Sequence, residues 1–181
     1  MTLLDKTGTP IGSYAPDFEL LGIDDKVHHL ARYLEKFRAV GVVFMCNHCP
    51  YVRLYLDRIK EIHCSFEHQG FTLIGINATQ YPNQNFDKMK TFSVRHQLNF
   101  PYLWDSTQDV TRSFGAQKTP MAFLVDGKGI VRYQGAIDDN AQEPKAVQVH
   151  YLQDATQAWL TGKKIATAST EAVGTGVKWR K

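Results

Sequence analysis

A continuous apolar run that passes directly into a helical pattern is the feature that most constrains this chain. Residues 39–45, AVGVVFM, show no alternation of apolar and polar side chains, which is typical of a strand buried on both faces of a sheet. From Val52 to Phe66, apolar side chains recur every three or four residues, and Gly70 provides a C-terminal stop. A buried strand followed at once by an amphipathic helix predicts an α/β fold with parallel central strands.

The remaining segments predict a mixed central sheet flanked by helices. The stretch APDFELLGIDDKVHHL reads as a β-hairpin extension with GIDDK at its tip. Residues 71–77 predict the second buried strand, residues 85–97 a helix, and Ser106 the N-cap of a short helix. MAFLVD and IVRYQGA predict two strands joined by the turn DGKG, and a last helix from Tyr151 ends near Gly162.

Composition favours a single globular domain over residues 1–181, with residues 163–181 as a C-terminal tail. The chain is 43% hydrophobic and 22% charged, and its net charge is only +3, which gives little support to nucleic-acid binding. The N-terminus lacks the apolar core of a signal peptide, and no apolar run reaches the roughly 18 residues of a membrane span. We therefore expect a cytoplasmic protein that binds neither membrane nor nucleic acid, with its tail on the surface, pinned by Trp179.

Two cysteines, Cys46 and Cys49, stand where the buried strand meets the helix. Ligands of open α/β sheets gather at the carboxyl ends of strands, and a helix N-terminus favours a thiolate over a thiol. The thiolate is the nucleophile of disulfide exchange, so this position activates Cys46 as the attacking sulfur. We expect Cys49, one turn further into the helix, to be more buried and to attack the mixed disulfide formed at Cys46.

The residues between and beside the cysteines are the first supporting candidates. A protonated His48 would stabilise the Cys46 anion further and make the pair more oxidising. Asn47 is the other intervening residue. Pro50 is tolerated because first-turn N–H groups have no partner inside a helix, and it stiffens the turn that carries the thiols.

Half of a zinc site has the same CxxC spacing, so a metal-binding module is an alternative. Cys64 and His63 cannot complete it: Cys64 lies 15 residues beyond Cys49 on the same predicted helix, or roughly 22 Å along its axis. His28 and His29 remain possible donors, but adjacent strand residues point to opposite faces. Context favours redox chemistry with no metal and no cofactor, and we expect Cys64 to be a buried core thiol.

Pro120 precedes a strongly apolar strand, a position that a cis Thr119–Pro120 bond would explain. With the strand–CxxC–helix unit, a second βα unit and Thr-Pro ahead of a hairpin, residues 12–162 resemble the thioredoxin superfamily. The resemblance implies a thioredoxin-like fold in which Pro120 faces the two cysteines. It also implies that the Thr119 backbone pairs with a bound substrate chain and that Gly135 lines the same groove.

More narrowly, IGSYAPDFEL and the DDK hairpin are similar to the redoxin branch, which includes the alkyl hydroperoxide reductase/thiol-specific antioxidant (AhpC/TSA) proteins. CNHCPYV, TP and YQGAIDD resemble a branch of thioredoxin-family or redoxin-domain proteins. Members of that branch have a cysteine near the C-terminus. Here the corresponding stretch, VGTGVKW, has Thr175 instead, which removes a third redox thiol from that position.

A peroxidase would be an antioxidant alternative within the same resemblance. A peroxiredoxin needs Pro-x-x-x-Thr-x-x-Cys and an arginine before the strand that begins at Met121. The Thr position holds Val43, the Pro position holds Ala39, and Thr119 and Pro120 precede the strand. The peroxide-binding residues are missing whereas the dithiol is present, which favours thiol–disulfide exchange.

One departure concerns proton removal from Cys49. Thioredoxins keep a buried carboxylate six residues before the first cysteine, where this chain has Val40. Asp138 and Asp139 are candidates to help, although a turn or N-cap role is the plainer interpretation, and His28 and His29 are weaker candidates.

We predict a thiol–disulfide oxidoreductase in which Cys46 attacks and Cys49 resolves. Its partners are protein or small-molecule thiols and disulfides and an unidentified reductant. The alternatives are a thiol-dependent peroxidase and a metal-binding or redox-inert interaction module.

Overall fold

The computed structural model of this protein describes residues 8–79, 81–82 and 85–181. Over those residues the chain forms nine strands and five α-helices. The strands are β1 (Glu19–Gly22), β2 (Val27–His29), β3 (Ala39–Met45), β4 (Phe71–Asn77), β5 (Tyr102–Trp104), β6 (Lys118–Thr119), β7 (Met121–Asp126), β8 (Val131–Gly135) and β9 (Thr175–Gly176). The helices are α1 (Leu30–Lys36), α2 (Pro50–Phe66), α3 (Phe86–His96), α4 (Asp109–Phe114) and α5 (Tyr151–Leu160). None of these described helices has both the length and the apolar character needed to cross a membrane.

Seven strands form one mixed sheet in the order β2-β1-β5-β4-β3-β7-β8. β3 pairs in parallel with β4 and antiparallel with β7, and β4 pairs in parallel with β5. The hairpin of β1 and β2 joins the sheet through β1, which lies antiparallel to β5. The predicted α/β fold, with a mixed central sheet, flanking helices and an N-terminal hairpin, is confirmed.

Alternate side chains of β3 enter two different cores, and this explains why its sequence is apolar throughout. Val43 and Met45 belong to the cluster that contains buried residues of α2, α3 and α5. Val42 and Phe44 belong to a second cluster with residues of α1 and α4. Every residue of β3 is buried, so the strand that leads into Cys46 is fixed from both faces.

Two local features differ from the sequence-based expectation. The pattern gives no sign of β5, because three residues are too few to show a period of two. The N-cap of α4 is Gln108 and not Ser106, so that prediction is wrong. The buried side chain of Gln108 donates to the carbonyl oxygens of Ala78 and Lys178. Within the first turn of α4, the backbone N–H of Thr111 donates to the carboxylate of Asp105 at 2.7 Å.

The C-terminal tail, residues 163–181, is held more closely than a surface segment pinned by one tryptophan. The Trp179 ring does contact the body of the protein, with the guanidinium of Arg112 4.9 Å from its centre. In addition, Gln134 exchanges backbone hydrogen bonds with two tail residues, and β9 pairs antiparallel with β6. Backbone pairing at two places therefore holds the tail, and no local sequence pattern marks either place.

Candidate active site

The two cysteines of the CxxC motif are joined as a disulfide at the junction of β3 and α2, with their Cα atoms 5.7 Å apart. Cys46 directly follows β3, and Cys49 is the N-cap residue of α2. Both residues are 1% exposed. The prediction that Cys49 lies deeper, one turn inside the helix, is therefore wrong, because the turn from Cys46 to Cys49 carries both side chains into the same apolar core.

The loop between β6 and β7 lies against this disulfide. Its Thr119–Pro120 peptide bond is cis. Thr119 is fully buried, and its hydroxyl oxygen lies 2.8 Å from the sulfur of Cys49 and 3.9 Å from that of Cys46. The structure thus brings Thr119 and both cysteines together. The sequence pointed to the Thr119 backbone, whereas the contact between its hydroxyl and Cys49 becomes visible only in the folded chain.

Asn47, between the cysteines, is anchored by a residue that the sequence did not single out. Its side chain is buried, and Oδ1 accepts a hydrogen bond of 2.7 Å from the hydroxyl of Tyr102 on β5. Complete burial raises the pKa of Tyr102, so the hydroxyl keeps its proton and remains a donor. This hydrogen bond ties the turn that carries the disulfide to β5, which is separated from β3 by one strand of the sheet.

His48 and Pro50 face outward from the same turn, and both are exposed. The ring of His48 lies 5.8 Å from that of Tyr81 in an edge-on arrangement, and the amino group of Lys178 lies 5.1 Å from the centre of the Tyr81 ring. Pro50 occupies the first turn of α2, as expected. The effect of a charged His48 on Cys46 stays a prediction.

Both positions that the resemblance assigned to a substrate groove are covered by the C-terminal tail. Thr119 pairs antiparallel with Thr175. A Cβ atom on Gly174 would overlap the carbonyl oxygen of Thr119, so the two backbones are in close contact. Likewise, a Cβ atom on Gly135 would overlap Thr170 of the tail. The expected groove therefore holds a segment of the same chain.

Asp138 and Asp139 have structural partners. Asp138 is 2% exposed, and one carboxylate oxygen forms an ion pair of 2.7 Å with Arg58 of α2. The other oxygen accepts a hydrogen bond from the backbone N–H of Asn140. Asp139 accepts from the backbone N–H of Gln148. These contacts match the plainer interpretation, in which both residues stabilise the loop that follows β8.

Cys64 is exposed, so the prediction of a buried core thiol is wrong. Ile62 and Phe66 of α2 are buried, and a residue midway between them lies on the opposite side of a helix with 3.6 residues per turn. His63 is the residue that turns inward, and its ring lies 6.4 Å from that of Phe100. Burial lowers the pKa of His63.

His28 and His29 lie in the N-terminal hairpin, and their rings contact side chains of the hairpin and of α1. Nδ1 of His28 lies 2.6 Å from the hydroxyl of Tyr33, and Nε2 lies 2.9 Å from a carboxylate oxygen of Asp24. Burial raises the pKa of Tyr33 to about 12, so its hydroxyl keeps its proton. His29 lies 3.4 Å from Glu19. In the part of the chain that the structure describes, no three His, Cys, Asp or Glu side chains are grouped to hold a metal.

A family model, described as the AhpC/TSA family, matches residues 11–134. The chain belongs to this family. The match includes the hairpin, the CxxC turn and Thr119-Pro120, and it ends one residue before Gly135.

The names of several relatives of this AhpC/TSA chain refer to disulfide chemistry. The chain is 29% identical over 128 residues to the thiol-disulfide oxidoreductase ResA of Geobacillus thermodenitrificans. This alignment covers 71% of this chain and 70% of ResA. It is 27% identical over 155 residues to the thiol:disulfide interchange protein DsbE of Escherichia coli K12, and that alignment covers 81% of this chain and 78% of DsbE. A hypothetical protein of Sinorhizobium meliloti 1021 has a similar crystal structure, with a TM-score of 0.87, 28% identity and coverage of 97% and 99%.

The positions at which a peroxidase of the AhpC/TSA family would bind peroxide are buried and apolar here. Val43 and Ala39 are residues of β3 with no exposed surface, and Val43 lies opposite Ala122 of β7. Val40, at the position of the thioredoxin carboxylate, belongs to the core on the other face of the sheet from the cysteines. The side chains of Val43 and Ala39 therefore cannot provide a peroxide-binding hydroxyl, and that of Val40 cannot accept a proton.

Proposed function

We propose that this protein catalyses thiol–disulfide exchange through Cys46 and Cys49. The observation that carries the proposal is the disulfide between them at the start of α2, in contact with the Thr119–Pro120 loop. The relatives named ResA and DsbE, an oxidoreductase and an interchange protein, support the same chemistry.

The reaction begins with the reduced protein. The thiolate of Cys46 attacks one sulfur of a substrate disulfide, R–S–S–R′, forming a mixed disulfide with R and releasing R′ as its thiolate. Cys49 then loses its proton and attacks the sulfur of Cys46, which forms the internal disulfide and releases R as its thiolate. The substrate disulfide gains two electrons, and the protein dithiol loses them. A reductant restores the dithiol, and the reverse sequence oxidises a substrate dithiol.

Each anion has a proposed source of stabilisation. We expect the first-turn N–H groups of α2 and the partial positive charge of its N-terminus to favour the thiolate of Cys46, three residues before the N-cap residue Cys49. The Thr119 hydroxyl donates toward the sulfur of Cys49. A hydrogen bond to an anion is stronger than one to a neutral group, so this hydroxyl favours the thiolate of Cys49 during the second step. The pair therefore needs no metal or organic cofactor for the exchange.

Protein or small-molecule thiols and disulfides are the proposed substrates, with a separate reductant as the second partner. We also propose that the protein acts in the cytoplasm. Its three cysteines include the exposed, unpaired Cys64, and unpaired thiols persist in a reducing compartment. Trapping the thiols of intact cells with an alkylating agent tests this, since a reducing compartment keeps Cys64 fully alkylatable.

The test compares a disulfide with hydrogen peroxide as oxidants of the reduced protein, in a Cys64→Ser background so that only the CxxC thiols react. With hydroxyethyl disulfide we expect two thiols lost per chain and two product thiols released. With peroxide we expect a rate near that of free cysteine. No exchange with the disulfide, or a peroxide reaction orders of magnitude faster than free cysteine, would overturn the proposal. So would stoichiometric zinc that is lost on Cys49→Ser.

A further inference from the structure

We propose that β9 of the C-terminal tail occupies the backbone edge of Thr119 as an internal competitor, and that an extended polypeptide substrate binds by displacing it. The inference rests on the proposed exchange chemistry and adds the class of substrate that the tail controls.

The first observation is the pairing itself. Lys118 lies opposite Gly176 and Thr119 opposite Thr175 in an antiparallel ladder, and the N–H of Val177 donates 2.9 Å to the carbonyl oxygen of Gln117. An extended peptide adds to a free strand edge through the same backbone groups. Because one edge pairs with one strand, the tail and a substrate chain cannot both bind Thr119.

The second observation is the closeness of the fit. Gly174 packs against the carbonyl group of Thr119 so tightly that a Cβ atom would overlap it, whereas a Cβ atom on Gly176 would meet nothing within 4 Å. The contact therefore depends on the absence of a side chain at one position of the tail and not at the other.

The third observation is that the tail is anchored on both sides of β9. Before it, Thr170 accepts from the N–H of Ala136 at 2.9 Å and lies 2.7 Å from the hydroxyl of Tyr133. After it, the side chain of Gln108 accepts from the N–H of Arg180 and donates to the carbonyl oxygen of Lys178.

Between these anchors, only two residues of the tail pair with β6. Releasing a short paired segment between fixed points is a local opening, which costs far less free energy than unfolding the protein. The tail therefore can leave Thr119 without leaving the protein.

The consequence for substrates follows from the position of Thr119. Its side chain contacts both sulfurs, and Thr119, Cys46 and Cys49 are all buried. A polypeptide that aligns its disulfide with Cys46 by pairing with Thr119 must first compete with β9. A small disulfide makes no backbone ladder, so its reaction depends less on whether β9 is docked.

The kinetic test uses Gly174→Ala, with Gly176→Ala, two residues further along the tail, as the matched control. The substrates are insulin, as a polypeptide disulfide, and hydroxyethyl disulfide. Gly174→Ala is expected to raise kcat/KM for insulin by about tenfold, because it increases the fraction of molecules with a free edge. Its effect on the small disulfide is expected to be clearly smaller, and Gly176→Ala should match the wild-type protein with both.

Equal insulin kinetics in the three proteins would overturn the competitor role while leaving the exchange function intact. Failure of the wild-type protein to react with hydroxyethyl disulfide would instead overturn the exchange function and this inference together.

A second measurement keeps the native tail, and so does not depend on how Gly174→Ala folds. In the Cys49→Ser variant, Cys46 is joined by a disulfide bond either to a cysteine-containing peptide or to 2-mercaptoethanol. Amide hydrogen exchange of the two adducts is then measured. The peptide adduct should lose protection at Val177 while Thr170 keeps its protection. The 2-mercaptoethanol adduct should retain both. Equal protection of Val177 in the two adducts would contradict displacement of β9.

Discussion

The hydroxyl of Thr119 lies 2.8 Å from the sulfur of Cys49 but 3.9 Å from that of Cys46. The first contact is the shorter by 1.1 Å, and hydrogen bonds weaken as the donor–acceptor distance grows. Thr119, the residue before Pro120, thus makes its closer contact with one sulfur of the pair. That sulfur belongs to the cysteine that resolves the mixed disulfide in the proposed reaction.

Thr119→Val removes this hydroxyl while conserving the shape of the side chain. A hydrogen bond to a charged group contributes about 1.5–3 kcal/mol, so we expect resolution of the mixed disulfide to slow about tenfold or more. The pH at which resolution is half-maximal should rise, because the Cys49 anion loses a donor. Stopped-flow release of the product thiol measures both, and Thr119→Ser is the control that keeps the hydroxyl. A wild-type rate and pH profile in Thr119→Val would contradict this role.

Tyr102→Phe tests the anchor of the CxxC turn. The substitution leaves Oδ1 of the buried Asn47 without the donor at 2.7 Å. A typical intramolecular hydrogen bond contributes about 0.5–1.5 kcal/mol net, and we expect urea titration to show a loss of unfolding free energy in that range. Tyr14→Phe is the matched control, because Tyr14 is 75% exposed. If the two variants were equally stable, the hydrogen bond to Asn47 would not anchor the turn.

Asp138→Asn separates a structural carboxylate from a catalytic one. Breaking the buried ion pair with Arg58 should lower the unfolding free energy by about 3 kcal/mol. The pH profile of exchange should stay unchanged, because Arg58 and the N–H of Asn140 already bind the two oxygens of Asp138. Asp139→Asn, at the neighbouring exposed position, is the control. A shift of the pH profile in Asp138→Asn alone would assign that carboxylate to proton removal from Cys49.

His63 should make the protein less stable in mild acid. Burial lowers its pKa below the usual 6.5, so from that pH downward the unfolded chain takes up a proton that the folded chain resists. The unfolding free energy therefore falls as the pH drops below 6.5, levels off below the folded-state pKa, and is unaffected by His63 at higher pH.

Urea midpoints at about pH 7.5 and about pH 5 measure this difference. We expect His63→Gln to reduce it, whereas His68→Gln should not, because the His68 side chain is 88% exposed. An undiminished difference in His63→Gln would show that other groups cause the acid sensitivity.

The parts of the fold that the sequence predicted are those marked by local patterns. The buried run of β3, the apolar stripe of α2 and the turn between β7 and β8 each lie within a few consecutive residues. Cys46, Cys49 and Thr119-Pro120 were recognised for the same reason. Cys64 shows the limit of such reasoning, because it was expected in the core whereas the helical period places it on the exposed side.

The contacts that the sequence did not reveal join residues far apart in the chain. Tyr102 binds Asn47 across a separation of 55 residues, through a strand too short to show a period. Thr175 pairs with Thr119 through backbone groups, which every residue type carries. Neither contact needs a distinctive side chain nearby in sequence, so only the folded chain brings the C-terminal tail to the active site.

The most direct test of the exchange mechanism is mass spectrometry of mixed disulfides in two single-cysteine variants, Cys49→Ser and Cys46→Ser, both carrying Cys64→Ser. Each reduced variant is mixed with hydroxyethyl disulfide at neutral pH. We predict that Cys49→Ser rapidly accumulates one stable adduct on Cys46 and that Cys46→Ser reacts far more slowly. Equal rates in the two variants, or no adduct on Cys46, would contradict the assignment of Cys46 as the attacking thiol.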